Sequence, residues 1–377
     1  MRLAYVCADR GVPILGHKGA SVHVREITAA LQAIGHEVTV VCRRLGAGNP
    51  PPKVHAVAQL EPEEISNPDK VGEILVAHGA EAVVERYALE TGATRVAAAR
   101  LGIVHVLEVN APIVLEAARY RGLGDVDHWL ERERQTFAAA DAVVVVQRRL
   151  ESYVLGVAPK VTVKCVSNGV DVERFTRCEP GDLGLPPASV VIGFVGSMKP
   201  WHGVDDLVTA FERIAPQHAN VHLVLAGDGP QTDAINRRIS AAGLTGRVRL
   251  LGAIPHDRVP SLLRSFDIAV APYRPAPDFY FGPMKVVEYL AAGLPIVYPA
   301  MGDMPQIIGA SGVAYPPGDI AALGSALAGL ATDGERRLHL GAAARRRSMR
   351  HSWTHAADEI TGVIQAAAAA AIARSAA

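Results

Sequence analysis

The stretch that decides the fold of this chain reads DFYFGPMKVVEYLAAGLPIVYP and covers residues 278–299. It opens with a loop containing a Gly-Pro pair, and Met284 then begins an apolar pattern with helical spacing. Gly293 ends the predicted helix, and residues 294–297 (LPIV) form a predicted short buried strand. A loop, a helix and a strand in this order are typical of a parallel α/β sheet.

The start of this predicted helix has the features of a phosphate site. A helix N-terminus offers free backbone N–H groups and a positive dipole end, both of which favour an anion. Lys285 lies in the first turn, where the dipole disfavours a cation unless an anion is present, and Glu288 follows one turn later on the same face. A carboxylate beside a phosphate site commonly accepts hydrogen bonds from ribose hydroxyls. An amphipathic helix with a surface Lys285–Glu288 pair fits the same pattern, so this stretch alone leaves both interpretations open.

Length and composition predict a globular protein of two domains. A chain of 377 residues is too long for one typical core, and 49% hydrophobic with 20% charged residues is usual for a folded protein. Lys plus Arg and Asp plus Glu both number 38, so no net field favours nucleic acid.

Cysteine usage and the N-terminus favour a cytoplasmic location. The four cysteines are scattered, and Cys7, Cys42 and Cys165 lie in apolar, strand-like runs where we expect buried, reduced thiols. The first strand is too short for a signal sequence, and no apolar run is expected to span a membrane. We therefore predict no integral membrane segment, whereas peripheral membrane contact and the oligomeric state stay open.

Strands alternate with helices along the whole chain, which predicts two successive doubly wound α/β series. The first begins with a strand at residues 3–7, a glycine-containing loop and a helix over residues 21–34. The second follows a linker at residues 178–182 and begins with a strand at residues 189–195.

The predicted domains are residues 1–175 and residues 176–356. The C-terminal helix, residues 357–377, is predicted to pack back on the first domain. Two facing α/β domains predict a cleft, the usual place for a small ligand.

Three loops in consecutive βα units of the second series are predicted to converge on one diphosphate. They are residues 196–203 with Lys199, residues 227–230, and residues 281–285. Such loops supply the backbone donors and the positive charge that neutralise a departing diphosphate.

In the first series, polar residues lie near the ends of two predicted strands. Glu108 and Asn110 end the strand at residues 104–109, and Lys18 and His23 follow the first strand. Helix capping by Asn110 and a buried pairing of Glu108 with an arginine are the structural alternatives.

Other chemistries find little support in the sequence. Asp125 and Asp127 form a D-x-D pair, but it precedes a helix and does not end a strand. The sequence has no His/Cys cluster with metal-ligand spacing, no G-x-S-x-G elbow and no Walker A loop. No metal or other cofactor is therefore predicted.

Eight motifs in order resemble the retaining family-4 glycosyltransferases, also called glycosyl transferase group 1, which have the GT-B fold. These motifs are Lys18-Gly19-Ala20 before His23, residues 85–87 (ERY), 108–112 (EVNAP), 167–171 (SNGVD), 196–203 (GSMKPWHG), 226–230 (AGDGP), 251–256 (LGAIPH) and 278–299. The resemblance implies two facing Rossmann-like domains, the C-terminal one holding a nucleotide-diphosphate sugar and the N-terminal one the acceptor.

The resemblance also implies residue roles. Glu288 matches the second glutamate of the family's E-x7-E motif and would bind ribose, while Ile254 would lie by the base. The implied donor-binding residues are Gly19, Gly196, Ser197, Lys199, His202, Gly227, Asp228, Ile254, Tyr280, Phe281, Gly282, Pro283, Met284, Lys285 and Glu288. The acceptor-binding residues are Lys18, His23, Arg86, Glu108, Asn110 and Glu116, and the catalytic ones are Lys199, Lys285, Glu288 and Asn110.

The donor site departs from the family pattern at three positions. Tyr280 stands at the first position of E-x7-E, and Ser197 and His202 stand where the family has Arg and Lys. Lys199 and Lys285 would then supply the positive charge at the diphosphate.

Asn110 stands where the family often has a histidine beside the sugar. A front-face reaction, in which the leaving phosphate accepts the acceptor's proton, needs no protein base, so Asn110 could bind a sugar hydroxyl. A double displacement through Glu108 is the less favoured route.

We predict a retaining transferase acting from a UDP- or GDP-sugar on a small polar acceptor, in specialised-metabolite or polysaccharide biosynthesis. A nucleotide-sugar 2-epimerase and a non-catalytic sugar- or nucleotide-binding protein are the alternatives.

Overall fold

The computed structural model describes residues 1–16, 19–47, 57–90, 92–275 and 284–375. These residues form two compact units. The first contains the described residues up to Gly169 together with those from Trp353 onward, and the second contains those from Val170 to Ser352.

The first unit is a parallel α/β unit. Its elements are β1 (Arg2–Cys7), α1 (Gly19–Ala33), β2 (Glu37–Cys42), β3 (Val57–Gln59), α2 (Pro62–Ile65), α3 (Pro68–Ala77), β4 (Ala82–Arg86), α4 (Ala93–Leu101), β5 (Val104–Val109), α5 (Ile113–Arg121), α6 (Val126–Ala139), β6 (Ala142–Val145), α7 (Arg148–Val157) and β7 (Val163–Cys165), followed by the C-terminal helix Trp353–Ser375. The described strands pair in the order β3-β2-β1-β4-β5-β6-β7. The order reverses between β1 and β4, and such a switch point opens a crevice at the carboxyl ends of the strands.

The second unit repeats this architecture. Its elements are α8 (Val172–Thr176), β8 (Val190–Val195), α9 (Val204–Ile214), β9 (Val221–Ala226), α10 (Thr232–Ala241), β10 (Val248–Gly252), α11 (Val259–Arg264), β11 (Ile268–Val270), α12 (Met284–Ala292), β12 (Ile296–Pro299), α13 (Met304–Ile308), β13 (Gly312–Tyr315), α14 (Ile320–Thr332) and α15 (Gly334–Ser348). The described strands pair in parallel in the order β10-β9-β8-β11-β12-β13, with the switch point between β8 and β11. The C-terminal helix of the first unit is α16.

The core of the second unit shows why its sequence folds this way. Strand β8 reads VVIGFV and is buried along nearly its whole length, as expected for a parallel strand covered on both faces. Helix α9 buries Leu207, Phe211 and Ile214 on one face at helical spacing. Gly193 in β8 leaves the space that the ring of Phe266 occupies, since a Cβ there would overlap the ring.

The alternation of strands and helices predicted from the sequence is confirmed, with differences in detail. The strand predicted at residues 294–297 is two residues too early, because Gly293 has φ 74° and Leu294 and Pro295 complete the turn before β12. The predicted junction at residues 175/176 lies inside α8, which packs on α12 of the second unit. The structure divides the chain after Gly169, where Val170 N donates to His351 O within the second unit.

Helix α16 qualifies the expectation that no apolar run reaches membrane-spanning length. Residues Trp353–Arg374 have the length and mean hydropathy (1.2) of a spanning helix, and 28% of the tested window is buried. The core helix of a folded domain passes the same test, and α16 packs against α1, β5 and β6. Alanine, which dominates the second half of α16, supplies much of this hydropathy.

The thiols differ from the sequence prediction at one position. Cys7 and Cys42 are fully buried on neighbouring strands, and burial raises the pKa of these thiols to about 12 and about 11. Cys165 is only half-buried because β7 is the edge strand of its sheet.

Replacing Phe211 by alanine should strongly destabilise the second unit. Its side chain is fully buried in the core, and removing a buried phenyl ring costs about 3–5 kcal/mol. The free energy of unfolding in urea measures this, with Leu338→Ala as the control, because Leu338 is 77% exposed. Equal losses in the two variants would contradict the core assignment.

Candidate active site

The loops at the carboxyl edge of the second sheet contact one another through their backbones. Gly196 follows β8, and its N–H donates to Ala226 O at 2.9 Å. Gly227 follows β9, and its N–H donates to Gly252 O at 2.7 Å. The first two loops predicted to converge, residues 196–203 and 227–230, therefore lie side by side.

Glycine is required at this junction. Gly227 has φ 134°, and a Cβ there would overlap the carbonyl oxygen of Gly196. A Cβ on Gly229 would come within 2.8 Å of the Met198 backbone nitrogen. Because the two loops meet backbone to backbone, their N–H groups form part of the edge surface.

Lys285, in the first turn of α12, places its ammonium group beside the loop that follows β8 (residues 196–203, the β8 loop). Its Nζ lies 4.2 Å from the ring centroid of Phe194 and 5.1 Å from that of Tyr273, and a Cβ on Gly196 would overlap it. Nζ is buried and has no hydrogen-bond partner among the described residues. Burial lowers the pKa of Lys285 to about 7, although the Glu288 carboxylate opposes this shift. A buried cation without an acceptor is costly, so the site favours an anion.

Tyr289 fixes the distance between α12 and β8. Its buried hydroxyl accepts a hydrogen bond from Val195 N at 2.9 Å. The last residue of β8 is thus held against α12, and the adjacent Gly196 is held against Lys285.

His202 and Lys199 occupy the β8 loop in different ways. The His202 ring contacts Tyr273 edge-on at 5.2 Å between centroids, and its Nδ1 bonds Ser197 O. Burial and the nearby Lys285 lower the pKa of His202 to about 3, so it carries no charge at neutral pH. Lys199 is exposed and extends over the Trp201 ring, 4.9 Å from its centroid.

Glu288 lies one turn after Lys285 and is only 9% exposed. Its Oε1 lies 3.0 Å from His256 Nε2. The pair Lys285–Glu288 is therefore not an exposed surface ion pair, which removes the alternative left open by the sequence. Met284, the first residue of α12, is half-buried.

Other predicted donor residues have varied surroundings. Asp228 is exposed, and its side chain bonds Gly229 N and Thr232 Oγ1, so it stabilises its own loop. These bonds lower the pKa of Asp228. Ile254 is half-buried after β10, and Gly19 is the exposed first residue of α1 in the first unit. Lys18, Tyr280, Phe281, Gly282 and Pro283 lie outside the described residues.

The predicted acceptor residues His23 and Glu108 belong to a buried network. His23 Nε2 lies 2.5 Å from Glu108 Oε1, and its Nδ1 lies 2.8 Å from Asn168 Oδ1. Tyr5 donates its hydroxyl proton to Glu108 Oε2. Burial opposes ionisation of Glu108, but His23, Arg86 and Tyr5 lower the pKa of the carboxyl to about 2. The partner of Glu108 is thus mainly a histidine, whereas the sequence alternative named an arginine.

Arg86 and Asn110 end the neighbouring strands β4 and β5 with unused donors. Arg86 pairs in register with Glu108, and its buried Nε and Nη1 have no hydrogen-bond partner in the described part of the chain. Nδ2 of Asn110 is likewise buried without one. Asn110 does not cap α5, whose N-cap is Pro112.

A cavity of about 200 Å³ opens at the switch point of the first unit. Its walls come from the ends of β1 and β4 and from α5, and its charged lining residues are Asp9, Arg10, Glu90 and Arg121. Arg121 also pairs with the predicted residue Glu116 at 2.8 Å. Asp9, Arg10 and Glu90 were not predicted from the sequence, although their position shortly after β1 and β4 was a usable signal.

Comparison with solved structures identifies the fold. A sucrose-phosphate synthase of Thermosynechococcus elongatus matches with a TM-score of 0.76 over 98% of this chain and 100% of its own, at 19% identity. The Anabaena protein HepE, in complex with UDP, matches with a TM-score of 0.77 over 97% of this chain and 100% of its own, at 17% identity. The two Rossmann-like units therefore have the GT-B fold.

Sequence comparisons then give the family. The model described as Glycosyltransferase Family 4 matches residues 17–174, and the model described as Glycosyl transferases group 1 matches residues 189–333. The alpha-maltose-1-phosphate synthase of Mycolicibacterium smegmatis is 28% identical over 95% of this chain and 97% of its own. The 2-deoxystreptamine N-acetyl-D-glucosaminyltransferase of Streptomyces fradiae is 34% identical over 46% of this chain and 40% of its own. The chain belongs to the group 1, family-4 glycosyltransferases.

Lys285 should titrate near neutral pH in the free enzyme, because its ammonium group is buried and bonds no acceptor in the part of the chain that the structure describes. NMR of lysine side chains labelled at the ε position should show one signal with a midpoint at about pH 7. The signal should be absent from Lys285→Met, which identifies it. A midpoint close to the ordinary value of 10.5 would contradict the buried, unpaired geometry.

Proposed function

We propose that this glycosyltransferase transfers a sugar from a nucleotide-diphosphate sugar, a UDP- or GDP-sugar, to a small polar acceptor with retention of anomeric configuration. The observation that carries the proposal is the buried ammonium group of Lys285, which has no hydrogen-bond partner among the described residues and lies beside the β8 loop at the switch point of the second sheet. A diphosphate supplies the anion that this group lacks.

The donor is proposed to bind the second unit along α12 and the β8 and β9 loops. Lys285 and the more exposed Lys199 would face the diphosphate, and Glu288 would accept hydrogen bonds from the ribose. Gly196 and Gly227 allow the backbone to approach the phosphates closely. HepE, a structural neighbour, is solved in complex with UDP and with UDP-glucose, which supports a nucleotide donor of this kind.

A front-face reaction fits these groups. The bond from the acceptor oxygen to the anomeric carbon forms on the face from which the diphosphate departs. The acceptor's proton passes to the leaving phosphate oxygen, so no protein base is required. Lys285 and Lys199 stabilise the charge of the diphosphate. The amide N–H of Asn110, which bonds no described residue, donates to a sugar hydroxyl. This route needs no metal ion or other cofactor.

The acceptor is proposed to bind the first unit at the cavity between the ends of β1 and β4. Its lining combines carboxylates and guanidinium groups, which suits a small acceptor with several polar groups. Since His23 and Glu108 bond each other, we propose that they support this region structurally, while Arg86 and Asn110 offer donor atoms that bond none of the described residues. Biosynthesis of a specialised metabolite or of a polysaccharide, in the cytoplasm, fits such an acceptor.

Incubation with UDP- and GDP-sugars should show binding of one donor series by calorimetry and, with polar acceptors such as aminocyclitols and sugar phosphates, a glycoside of retained configuration by NMR. Binding of neither series would exclude the proposal. Donor turnover without any acceptor would instead indicate a 2-epimerase. Binding without turnover for every acceptor would indicate a non-catalytic binding protein.

Donor binding should be coupled to proton uptake by Lys285. In the free enzyme the pKa of Lys285 is about 7, and a bound diphosphate raises it. The affinity for the nucleotide sugar should be constant below pH 7 and should fall by about tenfold per pH unit above it, until the pKa of the bound state is reached.

Calorimetry in buffers of different ionisation enthalpy measures this uptake at pH 8. Lys285→Met should bind the donor about 10–100-fold more weakly, because a charged hydrogen bond is lost, and without the pH dependence. Lys199→Met, which removes an exposed lysine, is the matched control and should keep the pH dependence. An unchanged pH profile in Lys285→Met would contradict the assignment.

A further inference from the structure

His256 lies between Arg174 and Glu288 within the second unit. Its Nε2 is 3.0 Å from Glu288 Oε1, and its Nδ1 is 3.4 Å from Arg174 Nη1. Arg174 also donates from Nη2 to the backbone oxygen of His256 at 3.1 Å. Three elements are thereby joined, namely α8, the turn after β10, and α12.

These contacts determine the tautomer of His256. A guanidinium group can only donate hydrogen bonds, so Nδ1 of His256 must be the acceptor and carries no proton. The proton of the neutral imidazole is then on Nε2, where it points at Glu288 Oε1. Arg174 therefore makes His256 a donor to the carboxylate of Glu288.

The two oxygens of Glu288 have different surroundings. Oε1 is bonded by His256, while Oε2 receives no hydrogen bond from any described residue. Since the residue is only 9% exposed, the orientation of its carboxylate depends on this one bond. The oxygen without a partner is the one available to a ligand.

The same bond also separates Glu288 from Lys285. The two residues are three positions apart on α12, a spacing at which a carboxylate and an ammonium group can pair. The Glu288 carboxylate already acts on Lys285 electrostatically, yet Nζ of Lys285 has no hydrogen-bond partner in the described ranges. A carboxylate released from His256 could turn towards this ammonium group and neutralise it.

We propose that Arg174 and His256 are positioning residues that hold Glu288 for the ribose hydroxyls of the donor and keep it from pairing with Lys285. The inference rests on the proposed function, because it takes the ligand to be a nucleotide. It adds two residues to the donor site. Neither touches the reacting atoms, so their effect is on nucleotide selectivity.

The test compares the binding of ribonucleoside and 2′,3′-dideoxyribonucleoside diphosphates, UDP with ddUDP and GDP with ddGDP, by calorimetry. The wild-type enzyme should prefer the ribonucleotide by about tenfold or more, the effect of losing a hydrogen bond to a charged group. In His256→Ala the preference should fall towards one. Affinity for the dideoxynucleotide should fall less than affinity for the ribonucleotide, because both lose attraction to Lys285 but only the ribonucleotide also loses the bond to Glu288. His256→Gln, whose amide can donate to Glu288 and accept from Arg174, should retain the preference.

Two further variants distinguish the positioning of Glu288 by His256 from a general loss of structure. Arg174→Met leaves His256 in place but frees its Nδ1, and it should lose the preference as His256→Ala does. Arg258→Ala, an exposed position in the same turn, should behave like the wild type. The Lys285 NMR midpoint should rise in His256→Ala as the carboxylate turns towards Nζ.

The outcomes distinguish a failure of the proposed function from a failure of the positioning role alone. If the wild-type enzyme binds neither UDP nor GDP, the proposed function fails and this inference fails with it. If the wild-type enzyme prefers the ribonucleotide and His256→Ala keeps that preference, the nucleotide site stands and the positioning role is overturned. An equal loss for ribo- and dideoxynucleotides would also overturn it, since that result indicates a structural role only.

Discussion

The buried ammonium group of Lys285 is the constraint on which the structure of this edge of the second unit depends. It lies against aromatic rings and the Gly196 backbone with no acceptor among the residues that the structure describes. Desolvation of a cation costs several kcal/mol per ion unless a partner compensates it. Core packing of α12 and the bond from Val195 to Tyr289 hold the lysine in place, so the fold carries this cost.

The topology of the sheets makes such a site possible. At the switch point between β8 and β11 the neighbouring loops turn in opposite directions, which leaves room at the carboxyl edge. Gly196 and Gly227 then let two loops meet backbone to backbone. The first unit has the same kind of switch point between β1 and β4, where its charged cavity lies. One architecture therefore provides a ligand-type crevice in each unit.

Glu288 and Glu108, which lie near the carboxyl edges of the second and the first sheet, differ in their hydrogen bonding. In the second unit Glu288 keeps one oxygen without a hydrogen-bond partner among the described residues. In the first unit Glu108 uses both oxygens internally, with His23 and Tyr5, so it stabilises the ends of β1, α1 and β5. The sequence patterns of the two glutamates gave no basis for this distinction. A polar residue at a strand or helix end marks an edge of the sheet, and only its neighbours decide whether it is free for a ligand.

The sequence by itself determined the alternation of strands and helices, the two α/β series, the family motifs and the presence of Lys285 and Glu288 on one face of α12. These features are local, because side-chain periodicity and turn residues act within a few positions. The tertiary structure alone decided which polar groups pair. His23 meets Glu108 across 85 positions and His256 meets Glu288 across 32, contacts that no local pattern specifies. Burial, and with it the lowered pKa of Lys285, is likewise decided by packing between elements distant in the chain.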